Sequence, residues 1–164
     1  MSSARAGVSD AVTLRPALPP DDMDAVRALL LSYARGFDFH ICFEGFEREL
    51  SSLPGEYSPP AGRLILAEID GRAVGVVALR PLPNEGAAEL KRFYVDPAAR
   101  GRGLGRLLTE AVVAEARAQG YRKLRLETLP VMAAANRIYD ELGFVVTAPS
   151  AGAAAEIVSK ELAL

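Results

Sequence analysis

The stretch Ala99-Arg100-Gly101-Arg102-Gly103-Leu104-Gly105-Arg106-Leu107-Leu108-Thr109-Glu110-Ala111 places three glycines among arginines directly before an apolar run with helical spacing. Leu104, Leu107, Leu108, Ala111 and Val112 fall on one helix face, and Gly120 supplies a stop. The first amides of a helix lack carbonyl partners and carry partial positive charge, so an anion settles there. Glycines let the backbone approach that anion because no Cβ intervenes. Arg100, Arg102 and Arg106 add charge at the same point. Together these features describe a cradle for a phosphate. No Lys followed by Ser or Thr closes the segment, which excludes a P-loop, and the G-x-G-x-G spacing, separated from its strand by Asp96 to Arg100, fits a dinucleotide fold poorly. On the glycines alone, a loop that merely turns the chain stays open.

Upstream, 88–95 reads as a strand ended by Asp96-Pro97. Before it, 63–69 and 72–79 are β-rich runs joined by the turn dipeptide Asp70-Gly71, a hairpin signature. Residues 12–15 read as a short strand, and Pro19-Pro20-Asp21-Asp22 as a helix start whose aspartates cap the first amides. Met23, Val26, Leu30, Tyr33 and Phe37 recur at helical spacing, and a second helix is expected over 43–53. Downstream, 123–129 alternates as a strand, a helix is expected over 131–142, and 144–147 and 156–162 read as the last strands. Residues 1–11 are small and polar and expected to be disordered. No repeat or composition break divides 12–164, which reads as one domain: a mixed sheet with helices packed on it.

Half of the 164 residues are hydrophobic, enough for a packed core, and Trp is absent. With 19 basic against 21 acidic residues, nucleic acid and anionic membranes are poor bulk partners. Cys42 is the only cysteine, and the start of the chain shows no apolar signal segment; both fit a cytoplasmic protein. No apolar run approaches the ~20 residues of a membrane helix. No His, Cys and Asp cluster has the spacing of metal ligands.

Arg100-x-x-Gly103-x-Gly105, following Phe93-Tyr94-Val95-Asp96-Pro97, resembles the R/Q-x-x-G-x-G/A signature of the GNAT N-acetyltransferases. Downstream, Ala135-x-x-Ile138-Tyr139-x-x-Leu142-Gly143-Phe144 is similar to that family's A-x-x-L-Y-x-x-x-G-F helix-to-strand segment. Met132 stands where the family often has Asn, and Leu129-Pro130-Val131-Met132 resembles an L-P-x-M variant. The resemblance implies an α/β fold with a mixed sheet of about seven strands and about four flanking helices. In it, 88–95 and 123–129 would form a splayed parallel pair holding acetyl-CoA as co-substrate, with no metal. It further implies that Arg100, Gly101, Arg102, Gly103, Leu104, Gly105 and Arg106 surround the diphosphate, and that the main chain of Phe93, Tyr94 and Val95 binds the pantetheine arm like an added strand.

Acetyl transfer to an amine requires a neutral amine, a polarised thioester carbonyl and a proton for the departing thiolate. Tyr139 matches the family tyrosine that serves the thiolate; the bland alternative is a core tyrosine whose hydroxyl meets water. Glu89 resembles the strand glutamate that some members use as a base, directly or through water; the alternative is an exposed residue paired with Lys91 or Arg92. The implied function is transfer of acetyl to a primary amine of a small molecule, amino acid or peptide. A non-catalytic acyl-CoA-binding sensor or partner domain and a nucleotide-binding domain are the other readings. An aromatic wall from Phe37, Phe39, His40, Phe43, Phe46 and Tyr57 is expected at the acceptor, with Glu44 or Glu47 for a cation. His40 and Cys42 have bland readings too, a loop histidine and a small buried residue. Many members pair through their last strands, and nothing in 156–164 decides for or against a homodimer.

Overall fold

The computed structural model describes residues 11–36, 45–83, 86–149 and 152–164. Phe37, Phe39, His40, Cys42, Phe43, Glu44 and the first ten residues, with the expectations attached to them, lie outside the described residues. The chain runs β1 (Val12–Pro16), α1 (Met23–Arg35), α2 (Phe46–Ser51), β2 (Arg63–Ile69), β3 (Arg72–Pro81), β4 (Ala87–Val95), α3 (Leu104–Ala118), β5 (Lys123–Thr128), α4 (Ala133–Glu141), β6 (Val145–Thr147) and β7 (Val158–Ala163). The seven strands form one mixed sheet in the order β1-β2-β3-β4-β5-β7-β6, parallel only between β4 and β5.

The central strands are apolar almost continuously because both faces are covered. Ile65, Leu79 and Leu90 join Leu104, Leu108 and Val112 of α3 in one core, while Leu64, Leu66 and Val76 meet Val26, Leu30 and Phe46 of α1 and α2 in the other. Each fully buried Leu or Val of this kind contributes roughly 1.5–3 kcal/mol. The turn Asp70-Gly71, with φ of 52° and 79°, closes the β2–β3 hairpin as the dipeptide predicts.

Element ends differ from the sequence reading where local hydrogen bonds intervene. The α4 helix begins at Ala133, because the Met132 and Asn136 side-chain or main-chain N–H groups both donate to the Leu129 carbonyl and hold 129–132 as a turn. The α3 helix ends at Ala118, with Gly120 at a φ of 85° just beyond it as the expected stop, and among the described residues α2 covers Phe46–Ser51. Asp22 sits at the N-cap of α1 but makes no side-chain cap. Its carboxylate instead takes both terminal nitrogens of Arg15, at 2.6 and 2.7 Å, and the Leu18 amide at 2.7 Å. A two-pronged guanidinium contact outcompetes a helix amide.

The feature that positions the site is a bulge in β4. Ala78 faces Lys91 and Val76 faces Tyr94, so Val77 opposes two residues, Arg92 and Phe93. Arg92 adopts a φ of 56° to make the extra step. Such a bulge bends its strand. On the other side, β4 pairs with β5 only at Ala87–Glu89 against Lys123–Arg125, and beyond those residues the two strands part. The result is the expected splayed parallel pair.

Candidate active site

At the C-terminal end of β4 the chain makes a short 3₁₀ turn, Pro97–Ala99, whose first amides are capped by Asp96 through a 2.9 Å bond from the Ala98 N–H. Gly101 and Gly103 follow with φ of 85° and 76°, a region that side chains strongly disfavour, and a Cβ on either would meet nothing within 4 Å. The first α3 hydrogen bond runs from Leu107 N–H to the Gly103 carbonyl. The amides of Leu104, Gly105 and Arg106 lie ahead of it, in the first turn, where no helix carbonyl reaches them. That cradle suits a phosphate.

The arginines around it divide. The Arg100 Nε donates to the Val95 carbonyl at 3.1 Å, tying the loop to the strand end. Arg106 is drawn along the helix flank by Glu110 at 3.2 Å and Glu141 at 2.8 Å, and its charge is largely matched there. Arg102 is exposed beside the glycines. Gly105 has a different duty from its neighbours: a Cβ there would lie 3.0 Å from Phe93 Cζ and 3.1 Å from Ile138 Cδ1. Its missing side chain lets α3 settle against β4 and α4.

From the cradle, the β4 edge of Phe93, Tyr94 and Val95 runs back toward the point where β4 meets β5, with no strand paired on its β5 side. Tyr139 stands over this cleft from α4, 4% exposed, with its ring 6.1 Å from Phe93 and 5.7 Å from Phe144. Burial pushes its phenol up, and Tyr33 of α1 adds to the shift. No hydrogen bond holds the Tyr139 hydroxyl among the described residues, so its proton is available to a ligand.

Glu89 lies at the last residue of β4 still paired with β5, on the face toward α1 and α2. It is buried rather than exposed, and its partner is Arg80 of β3, not Lys91 or Arg92. Arg80 Nε and Nη2 both reach Oε1 at 2.7 Å, which leaves Oε2 without a hydrogen bond among the described residues. The sequence offers no signal for that pair, because the loop before β4 hides the β3–β4 register. Arg80 also reaches Glu56 at 3.0 Å.

Beside them, Arg92 grips Glu49 of α2 through two bonds of 2.8 and 2.9 Å and lies over the Phe46 ring at 5.1 Å. Burial disfavours both charges, and the contact overrides it: Glu49 is held below its usual value and Arg92 above. Phe46 and Tyr57, expected to line an acceptor wall, are core residues at 6% and 1% exposure. Their rings pack under the bulge, where the apolar spacing of a short helix could equally have meant an exposed face. Glu47 is exposed.

The model of the acetyltransferase (GNAT) family matches residues 24–144. An uncharacterized N-acetyltransferase of Schizosaccharomyces pombe is 34% identical over 79% of this chain and 80% of its own length. N-acetylaspartate synthetase of Rattus norvegicus is 36% identical over 52% of this chain, which spans only 29% of that relative. Among solved structures, a Salmonella typhimurium acetyltransferase determined with its cofactor acetyl-CoA superposes with a TM-score of 0.74 over 93% of this chain and 94% of its own, at 22% identity. With the glycine cradle, the bulge and the splayed pair all inside the matched span, the chain belongs to the GNAT acetyltransferase family.

Proposed function

We propose that this acetyltransferase moves the acetyl group of acetyl-CoA directly to a primary amine of a small molecule, amino acid or peptide. The observation that carries the reading is continuity. An anion cradle at Gly101–Gly103, a strand edge and a Tyr139 hydroxyl that both lack partners among the described residues lie in sequence along one cleft. The loop amides and Arg102 bind the diphosphate, and the β4 edge orients the arm as an added strand would. A β4 amide near Val95 polarises the thioester carbonyl.

The acceptor ammonium first gives up a proton to solvent water and becomes neutral. Its lone pair then forms the C–N bond, its surplus proton passes to Glu89 Oε2 directly or through water, and the C–S electron pair leaves with sulfur. Tyr139 supplies the proton that sulfur takes, as its raised pKa keeps the phenol protonated. Acetyl-CoA is a co-substrate here, and no metal enters the scheme. Among the described residues no helix is long and apolar enough to cross a membrane.

The test is a panel of amines with acetyl-CoA, followed by release of free thiol. Amine-dependent release is the expected result. CoA binding by calorimetry with no release from any amine would favour a non-catalytic acyl-CoA-binding domain instead.

A further inference from the structure

Resting on that reading, we infer that the acceptor is an amino acid, its carboxylate held by Lys91 and its ammonium by Glu127 across the opening between β4 and β5. Lys91 and Glu127 lie on the same face of the sheet, on either side of the opening, each one same-face step past the last paired position. Glu89 faces Arg125 at the last paired position, and each strand then carries its next same-face residue two places on. Leu90 lies in the α3 core, so Lys91 points to the opposite face, toward α1 and α2. Leu124, Leu126 and Thr128 are buried toward α3 and α4, so Arg125 and Glu127 project to that same face. The two side chains therefore flank the mouth of the cleft, on the side away from α3.

Their neighbours are already satisfied. Arg80 holds Glu89 and Glu56, Arg92 holds Glu49, and Arg125 holds Glu161 at 3.2 Å. Lys91, partly buried, has no hydrogen bond or ion pair among the described residues, and neither has exposed Glu127. Ser159 of β7, directly across from Glu127, is 2% exposed, and its Oγ has no partner among the described residues. A partly buried lysine left unpaired between two arginines is costly, and a ligand that brings a carboxylate removes the cost. The Lys91 pKa is lowered, first by burial and then by Arg92 and Arg80, with Glu89 and Glu49 acting in the other direction. A bare amine would leave Lys91 unmatched and repelled. An amino acid matches both ends and brings its nitrogen beside Glu89.

The experiment compares the common amino acids with their carboxamides and decarboxylated amines, using wild type, Lys91→Met, Lys91→Arg and Glu127→Gln, each checked for folding by thermal melt. Wild type is expected to prefer the free acid in kcat/KM by about 10- to 100-fold, the range of one charged hydrogen bond. Lys91→Met should collapse that preference through KM for the acceptor, Lys91→Arg should retain part of it, and Glu127→Gln should weaken acid and amine alike. Equal use of acid and decarboxylated amine by wild type overturns the assignment, as does a preference that survives in Lys91→Met. If no amine is turned over at all, the transferase reading fails, and titration of the amino acids into CoA-loaded protein still decides this one. Binding lost in Lys91→Met supports it, and no binding to wild type overturns it.

Discussion

Tyr139 and Gly103 carry opposite kinds of demand. The Tyr139 ring is core, yet its hydroxyl bonds to nothing among the described residues. Replacing it with Phe therefore should leave the melting temperature and CoA affinity nearly unchanged while lowering kcat by about 10²-fold, the usual worth of a positioned acid. Its phenol lies above the ordinary value of 10.0, so it stays protonated through mildly alkaline pH. An alkaline fall in kcat below pH 10 that disappears in Tyr139→Phe would contradict this. At Gly103 a φ of 76° and open space beyond Cβ mean that Gly103→Val strains the loop and fills the cradle. Calorimetry should then show CoA binding abolished. Both residues stand out in the sequence because each belongs to a local motif. The Arg80–Glu89 and Arg92–Glu49 pairs do not, since their partners are brought together by strand pairing and by the second helix.

At the scale of elements, the α3 helix depends on close approach to β4 and α4 at its first turn. Gly105→Val would drive a branched side chain against Phe93 and Ile138, whose side chains must shift to admit it. The expected result is a destabilisation of about 1–3 kcal/mol by denaturant melt, with affinity loss following from the displaced helix. The same glycine reads in sequence as part of a phosphate loop, and only packing reveals its separate duty. Helices and strands were readable by period because the core is layered, whereas the 129–132 turn and the β4 bulge obey side-chain and register contacts that no window along the chain contains.

Over the whole molecule, Arg15 joins the edge strand, the α1 start and β2 by holding Asp22 and Glu68. The hydrogen bonds from Arg15 and from the Leu18 amide lower Asp22 from 3.8 to about 2. A depressed carboxylate stabilises the fold above its unfolded value and loses that contribution as pH falls through the folded value. Asp22→Asn should thus melt earlier than wild type at pH 7, with the gap closing between pH 4 and 2. A gap that persists unchanged at pH 2 would remove the ion pair from the account. The Asp70-Gly71 hairpin is legible in the local sequence, and the sheet of about seven strands with one parallel pair follows from the family resemblance; the order β5-β7-β6 at the far edge depends on long-range pairing that no local signal contains.

Arg92 is in effect an insertion. Lys91 and Tyr94 stay on the α1 side and Phe93 and Val95 on the α3 side whether or not the extra residue is present, so deleting it keeps the strand in phase. A chain lacking Arg92, with Glu49→Gln to relieve the stranded carboxylate, should retain its sheet by circular dichroism while β4 straightens and zips along β5. Such a protein would fold yet refuse acetyl-CoA. One surplus residue, rather than any reactive group, thus separates a closed sheet from a transferase.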